Sequence, residues 1–387
     1  MIPAAADLRR ALAEVGADGW LLFDFHGLNP VVRRIFRLSG LNTRRLFVLL
    51  PAEGEPVAVA HRIELQPLEG FPGCIIPYSR WEELHAGLES IVKGRTLAME
   101  ISHDDAVPYL DRVPFGVVEL LRRLGATIVP SAALVSRFAA GWSAGEMADH
   151  RAAAEILARV ARDELGRAVR EAESGLTESV LQARVMAAVQ ANGLVFNEPP
   201  IVAFGPHSAN PHYEPRAGKD ATLRRDQVLL LDLWAGRSRE TVFADQTWMG
   251  FSGPRPPQRV AEVWHVVRDA RDAAVAAVRE AVGQGRPIAG YEADRAARRV
   301  IEAAGYGDAF VHRTGHSIDR DLHGSGPHLD DYETHDDRLL VPGVGFSVEP
   351  GIYLPGDFGV RSEVNVFWGP HGPEMTPAEA QRDLVVA

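Results

Sequence analysis

The first third of the chain alternates short apolar runs with segments of helical periodicity. Residues 1–16 and two later segments repeat apolar positions at helical spacing, the later ones at residues 81–92 and 117–124. Four apolar runs favour buried strands, at residues 19–25, 46–50, 57–60 and 96–100. Because strands and helices alternate, this pattern predicts an α/β domain over residues 1–140.

A helix start signal opens the second part of the chain, after a boundary near Gly141. Ser143 is followed three residues later by Glu146, which is the sequence pattern of a capping box. Three helices are predicted in this part, at residues 144–170, 177–193 and 260–283. The division predicts two domains, residues 1–140 and 141–387.

Strands in the second part carry acidic residues between apolar neighbours. Gln227–Trp234 is a nearly continuous apolar run that contains Asp232, and Asp245 follows in a second such run. A hairpin between the two runs would bring the carboxylates together, whereas two exposed turn acids are the ordinary alternative. Residues 340–368 predict two further strands, joined by a turn around Pro355-Gly356.

Composition and charge exclude several classes of protein. The chain is 46% hydrophobic and 24% charged, as in a water-soluble globular protein. Its formal net charge of −11 argues against binding to nucleic acid or to an anionic membrane. Cys74 is the only cysteine, so an intrachain disulfide is excluded and a cytoplasmic location is predicted. No apolar stretch reaches the ~18 residues of a transmembrane helix.

Ligand-type side chains lie in apolar or glycine-flanked segments of the second part. They are four carboxylates and one imidazole, namely Asp232, Asp245, His316, Glu349 and Glu363. A buried carboxylate is costly unless it is paired or bound to a cation. Such a set would hold about two divalent metals, with oxygen-rich coordination favouring Mn. The pattern therefore predicts metal-assisted hydrolysis, with crowding that raises the carboxylate pKa values.

Each of these residues also has an ordinary explanation when it is taken alone. A single histidine such as His316 is usually structural, and an acid at a strand end is usually solvated. On a strand, Arg361 and Glu363 would share one face, so the guanidinium would support that carboxylate. The prediction therefore depends on the ordered set rather than on any one residue.

The ordered set resembles that of the pita-bread metallopeptidases, which include prolidase, aminopeptidase P and methionine aminopeptidase. The resemblance covers residues 145–387 and is specific in three stretches, Gly315-His-Ser-Ile318, Val348-Glu-Pro-Gly-Ile-Tyr353 and Gly359-Val-Arg-Ser-Glu363. It implies an α+β catalytic domain, with a curved antiparallel sheet covered by helices. Residues 1–140 resemble, more loosely, the creatinase-type N-terminal domain of the prolidase branch, which argues against methionine aminopeptidase.

The resemblance also implies an activity and roles for individual residues. The five residues would bind two divalent metals, Mn first, with Co, Zn or Fe as alternatives, and Asp245 and Glu363 would bridge them. A metal-activated water would hydrolyse the Xaa-Pro bond of small peptides with proline in second position, as in an Xaa-Pro dipeptidase or aminopeptidase P. Glu349 would carry the proton, and His323 and His212 would hold the substrate. A cytoplasmic homodimer is expected.

Several positions depart from the family pattern. The hairpin tip at residues 235–240 is longer, Gln246-Thr-Trp248 follows the second aspartate, and Asp319 and Gly324 replace common residues. We expect all of them near the substrate pocket, together with His207, His312 and His328 as structural or substrate-contacting groups. Three alternatives remain: a metal-dependent hydrolase or lyase of a small non-peptide compound, a metal-free creatinase-like enzyme, and a non-catalytic binding module.

Overall fold

The computed structural model describes residues 2–36 and 42–387. Contacts between residues divide the chain into two compact units, Met1–Ala139 and Ala140–Ala387. The assignment of the first unit as a creatinase-like domain stays a prediction. Among the helices of the described residues, none is both long enough and apolar enough to cross a bilayer.

The first unit is built on a six-stranded mixed sheet. In chain order its strands are β1 (Gly19–Asp24), β2 (Leu46–Pro51), β3 (Val57–His61), β4 (Cys74–Tyr78), β5 (Thr96–Met99) and β6 (Thr127–Pro130). They lie in the order β4-β3-β2-β1-β5-β6. The helices are α1 (Ala5–Glu14), α2 (Pro30–Phe36), α3 (Trp81–Val92), α4 (Phe115–Arg123) and the short α5 (Ala132–Leu134).

The apolar runs of this unit form strands because both faces of the sheet are covered. In β1, Trp20 and Leu22 enter one core cluster, and Leu21 and Phe23 enter the other. Strands buried on both faces read as continuous apolar runs rather than alternating ones. The predicted α/β class is confirmed. Met1, the first residue of the predicted N-terminal helix, lies outside the described residues. Strands β4 and β6 were not predicted from sequence, since they are short and partly exposed.

The second unit contains three small sheets. Its strands are β7 (Ile201–Phe204), β8 (Val228–Ala235), β9 (Ala244–Phe251), β10 (Ser317–Ile318), β11 (Gly345–Val348), β12 (Gly351–Leu354), β13 (Phe358–Arg361), β14 (Val364–Gly369), β15 (Gly372–Thr376) and β16 (Val385–Val386). The sheets have the orders β16-β9-β8-β7, β10-β11-β14-β15 and β12-β13. Pairing is antiparallel except between β16 and β9.

Four helices cover these sheets: α6 (Ala144–Arg170), α7 (Glu178–Ala191), α8 (Gln258–Gly283) and α9 (Gly290–Ala303). The predicted capping box opens α6, where Glu146 N donates to Ser143 Oγ at 3.3 Å and Ser143 N donates to Glu146 Oε2 at 2.8 Å. Alternate residues of β8, Leu229, Leu231 and Leu233, pack in one core cluster with α6 and α7. On the opposite face of β8, Val228 and Leu230 pack in a second core cluster, and the next residue on that face is Asp232.

The prediction of two strands over residues 340–368 is wrong. The structure has four strands, since each predicted strand is interrupted once. Pro350 follows Glu349 at the first break and cannot donate a ladder hydrogen bond. Residues 362 and 363 form the second break, while the predicted turn at Pro355-Gly356 does join β12 to β13. The breaks leave Glu349 and Glu363 at strand ends rather than in a ladder.

Candidate metal centre

The hairpin of β8 and β9 brings Asp232 and Asp245 to one face of a sheet. Asp232 pairs with Thr247, and Trp234 pairs with Asp245. Since directly opposed residues and residues two apart share a face, all four side chains point the same way. Both aspartates are buried, at 7% and 4% exposure, so they are not solvated turn acids. The predicted hairpin is confirmed, with residues 236–243 as its connection.

Arg361 is aimed at Asp232 rather than at Glu363. Its Nη2 donates to Asp232 Oδ2, and its Nε donates to Thr247 Oγ1 at 2.8 Å. The predicted strand spacing of Arg361 and Glu363 is wrong, because β13 ends at Arg361. The guanidinium still supports the Glu363 carboxylate, since its charge opposes the rise that burial causes in the pKa of Glu363. Thr247 Oγ1 lies 2.8 Å from Glu363 Oε2 and 3.1 Å from Asp232 Oδ1. The threonine hydroxyl therefore connects the two carboxylates.

His316 lies between two carboxylates. Its Nε2 is 3.4 Å from Asp245 Oδ2 and 3.3 Å from Glu349 Oε1. Its Nδ1 is 3.1 Å from the carbonyl oxygen of Ser317, so an Nδ1–H tautomer would leave Nε2 as the ligand atom. Ser347 Oγ donates to Glu349 Oε1 at 2.9 Å and fixes that side chain.

The chemistry of this cluster fits a divalent cation. Asp245, His316 and Glu363 each offer a ligand atom, and these atoms lie within 4.8 Å of one another. Glu363 Oε1 is buried without a hydrogen-bond partner among the described residues. A buried carboxylate oxygen in that state is costly, and a cation would satisfy it. Oxygen ligands with one imidazole suit ions such as Mn or Zn.

Burial and charge give the four carboxylates different proton affinities. Burial raises the pKa of Asp232 to about 7, although Arg361 opposes it. Burial, followed by the charge of Asp245, raises the pKa of Glu363 well above its usual range. Burial also raises the pKa of Glu349, but the attraction of His316 and Arg361 outweighs it and lowers that pKa to about 2. The expectation of raised values throughout is therefore wrong at Glu349.

The two histidines assigned to substrate are both exposed, and His323 touches a proposed ligand. The ring of His323 meets that of His316 edge-on, with centroids 4.3 Å apart. The side chain of His323 is exposed, while desolvation by its neighbours and then the charge of His316 lower its pKa, so the neutral imidazole predominates at physiological pH. His212 is exposed to solvent as well. The structure thus brings His323 against His316 and leaves both of the rings assigned to substrate exposed.

Three further histidines are held by protein groups. His312 Nε2 lies 2.8 Å from the hydroxyl of Tyr353, His328 Nδ1 accepts from Ser317 N at 3.0 Å, and His207 Nδ1 lies 2.9 Å from Glu178 Oε1. The first two flank the segment that carries His316. These contacts support structural roles for them.

Gln246 and Trp248 face away from the cluster, so the expectation that they lie near the substrate pocket is wrong. Trp248 Nε1 donates to Gln246 Oε1 at 2.9 Å, and Gln246 Nε2 donates to the carbonyl of Ala154 in α6 at 2.8 Å. Strand alternation sends residues 246 and 248 to the helix side when 245 and 247 point to the cluster. This departure from the family pattern is a matter of packing.

Replacing Gln246 by Ala is expected to destabilise the protein without changing its chemistry. The substitution leaves the buried Trp248 N–H without its acceptor and removes the side-chain bond to the Ala154 carbonyl, which still accepts within α6, at a cost of about 1–3 kcal/mol in the free energy of unfolding. Urea denaturation measures that loss, and metal content per folded molecule should stay at the parental value. A variant of parental stability with altered metal content would place Gln246 in the site instead.

Asp319 and Gly324 depart from the family pattern together because they touch. Asp319 Oδ1 accepts from Asp321 N at 2.8 Å, and Oδ2 accepts from Ser325 N at 2.9 Å. A Cβ atom at position 324 would lie 2.7 Å from Asp319 Cγ, which is closer than packed atoms allow. Asp319 therefore shapes the loop that carries His323 and requires glycine at 324.

Comparison with known proteins identifies the family. A profile described as metallopeptidase family M24 matches residues 148–368, which is more than half of the chain. The chain belongs to this family. The M24 match includes all five ligand-type residues, and the pita-bread fold predicted from the sequence is confirmed.

Relatives of this M24 metallopeptidase include dipeptidases. It is 29% identical over 321 residues to a probable dipeptidase PepE from Mycobacterium tuberculosis, covering 82% of this chain and 79% of that one. It is 35% identical over 164 residues to an Xaa-Pro dipeptidase from Lactobacillus helveticus, covering 42% and 40% of the two chains. The crystal structure of dipeptidase PepE from Mycobacterium ulcerans shares the fold, with a TM-score of 0.75, 24% identity and coverage of 99% and 96%.

Proposed function

We propose that this M24 protein is a dinuclear metallopeptidase that hydrolyses the Xaa-Pro bond of small peptides. The observation that carries the proposal is the convergence of Asp245, His316 and Glu363, together with the unpartnered Glu363 Oε1. The likeness of part of the chain to an Xaa-Pro dipeptidase supports the proline preference. A cytoplasmic homodimer goes with this proposal, and light scattering on the purified protein tests the dimer.

The proposed ligands are the two aspartates of the hairpin, His316 and the two glutamates at strand ends. Two divalent ions, Mn first, would supply a water molecule of lowered pKa as the nucleophile. Thr247 and Arg361 hold Asp232 in place, while Ser347 holds Glu349. These contacts fix the ligand geometry before any metal binds.

Glu349 and His323 are the proposed proton-handling and substrate-holding groups. The lowered pKa of Glu349 keeps that carboxylate ionised at neutral pH, which is the form that a proton carrier between the water and the leaving nitrogen needs. His323 is neutral and can donate a hydrogen bond to the scissile carbonyl as charge develops there. The Xaa-Pro amide has no N–H, so its recognition depends on shape and on the charged ends of the peptide.

The alternatives named from sequence have lost part of their support. The non-peptide reading rested partly on Trp248, which faces helix α6 instead of the cluster. A non-catalytic module would be expected to lack ligands, whereas Asp245, His316 and Glu363 converge here. Peptide hydrolysis is therefore the function that the site supports best.

Activity on matched peptides tests the proposal. Metal-free protein would be supplied with Mn, Co or Zn and given Ala-Pro, Ala-Ala and a longer peptide beginning Ala-Pro. We expect metal-dependent cleavage of Ala-Pro that exceeds cleavage of Ala-Ala. Metal-loaded protein that cleaves Ala-Ala but not the proline peptides would contradict the proline preference, and loaded protein inert on all three would contradict peptidase activity.

Metal affinity is expected to rise as the pH increases through the Asp232 pKa of about 7. Asp232 has a pKa of about 7 in the metal-free protein, and Glu363 is also raised, so both release protons when a cation binds. Affinity is therefore weakened below these pKa values and reaches a plateau above them. Calorimetric titration with Mn in buffers of different ionisation enthalpy measures the affinity and the protons released. Affinity that is independent of pH, with no proton release, would contradict these raised values.

A further inference from the structure

Glu178 is a buried carboxylate outside the metal centre. It is the first residue of α7 and is 0% exposed. Burying a carboxylate is costly unless hydrogen-bond donors surround it. Each donor that binds it also fixes the position of the backbone segment that carries the donor. The donors around Glu178 therefore show which part of the chain it holds.

Both ends of one segment bind to this single carboxylate. Phe204 N donates to Glu178 Oε1 at 2.7 Å, and Ala221 N donates to Oε2 at 2.8 Å. Residues 205–220 lie between these two donors. We call residues 205–220 the His212 segment, because they carry that histidine. Its ends are tied together at Glu178.

Two side chains from inside the His212 segment reach the same carboxylate. His207 Nδ1 lies 2.9 Å from Oε1 and 3.0 Å from Oε2, and the Tyr213 hydroxyl donates to Oε2 at 2.6 Å. The two rings are stacked, with centroids 4.4 Å apart. Tyr213 directly follows His212, so its hydroxyl fixes the backbone next to the substrate histidine.

The opposite side of the His212 segment docks on a strand of the proposed active site. Gly359 N donates to Ser208 Oγ at 2.8 Å, and β13 ends two residues later at Arg361. A Cβ atom at position 359 would lie 2.0 Å from the carbonyl oxygen of Ser208. The segment thus packs closely between Glu178 and the strand whose arginine holds Asp232.

We propose that Glu178 is a positioning residue that closes the His212 segment and thereby sets substrate affinity. It acts through Phe204, His207, Tyr213 and Ala221 and contacts neither the metal ligands nor the substrate. The inference rests on the proposed function, since His212 is a substrate group only there. Loss of Glu178 should therefore weaken binding of the peptide more than it slows the chemical step.

Glu178→Gln is the test variant, because it keeps the volume but turns one acceptor oxygen into a donor. That amide would face either Phe204 and His207 or Tyr213 and Ala221. We expect KM to rise by about tenfold, the effect of losing one to two hydrogen bonds, with kcat within about threefold of the parent. Metal content should not change, and amide exchange over residues 205–220 should become faster.

Two comparisons separate positioning from general destabilisation. Val185→Ala truncates a buried residue of the same helix, so it should lower the melting temperature without changing KM or exchange in the His212 segment. His212→Ala should raise KM by itself, and adding Glu178→Gln should raise it no further, because both changes act through one group. Additive effects of the two substitutions on KM, or a parental KM in Glu178→Gln, would overturn the inference.

The outcome can be distinguished from failure of the proposed function. Kinetics would be measured on whichever dipeptide of a mixed panel the parent cleaves best. Preference for a dipeptide without proline would contradict the proposed specificity and leave the comparison of variants intact. A parent that cleaves no dipeptide would overturn the substrate role of His212 and with it the inference, even if exchange in the segment increased.

Discussion

Replacing Glu349 by Gln is expected to lower kcat on an Xaa-Pro dipeptide by at least ~100-fold, the range for loss of general acid–base catalysis. Glutamine keeps the size of the side chain and one ligating oxygen, but it cannot accept a proton from water. The parental carboxylate is ionised at neutral pH, because His316 and Arg361 outweigh the effect of burial on its pKa. Metal should be partly retained, as measured by metal analysis beside the kinetics.

Glu374→Gln provides a matched control for the change of charge. Glu374 lies in β15 and pairs with Arg151 at the surface, so its neutralisation should leave kcat and metal content near the parent. If Glu349→Gln keeps kcat within tenfold of the parent while metal is bound, Glu349 is not the proton carrier.

Replacing His316 by Ala should remove metal as well as activity. Its Nε2 lies between Asp245 Oδ2 and Glu349 Oε1, so its loss would leave two carboxylates without the group that joins them. His323→Ala should instead lower turnover with metal content near normal, because His323 packs on His316 and is assigned to substrate. Metal stoichiometry by mass spectrometry, measured with kinetics on both variants, separates the two roles.

The opposite pattern would reverse the assignment of the two histidines. Metal lost in His323→Ala and kept in His316→Ala would make His323 the ligand. Loss of metal in both variants would show that the ring contact between them, at 4.3 Å, is needed to hold the ligand in place.

Much of the fold could be predicted because local signals agreed with tertiary packing. The Ser143 capping box begins a helix whose bounds match the prediction, and the apolar runs of the first unit are strands covered on both faces. Residues 340–368 were harder, since the interruption at Glu349-Pro350 depends on the strand passing from one sheet to another. Apolar content alone does not show where a strand changes its partner.

The residue types of the candidate site could be predicted from the sequence. The hydrogen bonds and ion pairs among them were harder to predict. Thr247 lies two residues after Asp245, so strand alternation could have placed it on the same face. The partner of Arg361 could not be read from sequence, because Asp232 is 129 positions away in the chain. Glu178 gave no separate signal, as an acid at a helix start is ordinary there.

Strand β9 serves two purposes that alternate from residue to residue. Asp245 and Thr247 belong to the candidate metal centre, while Gln246 and Trp248 bind or pack against α6. A complete mutational scan of this strand should therefore show a period of two. Substitutions at 245 and 247 would leave the yield of folded protein unchanged and abolish turnover. Substitutions at 246 and 248 would lower the yield of folded protein, but each folded molecule would keep its activity.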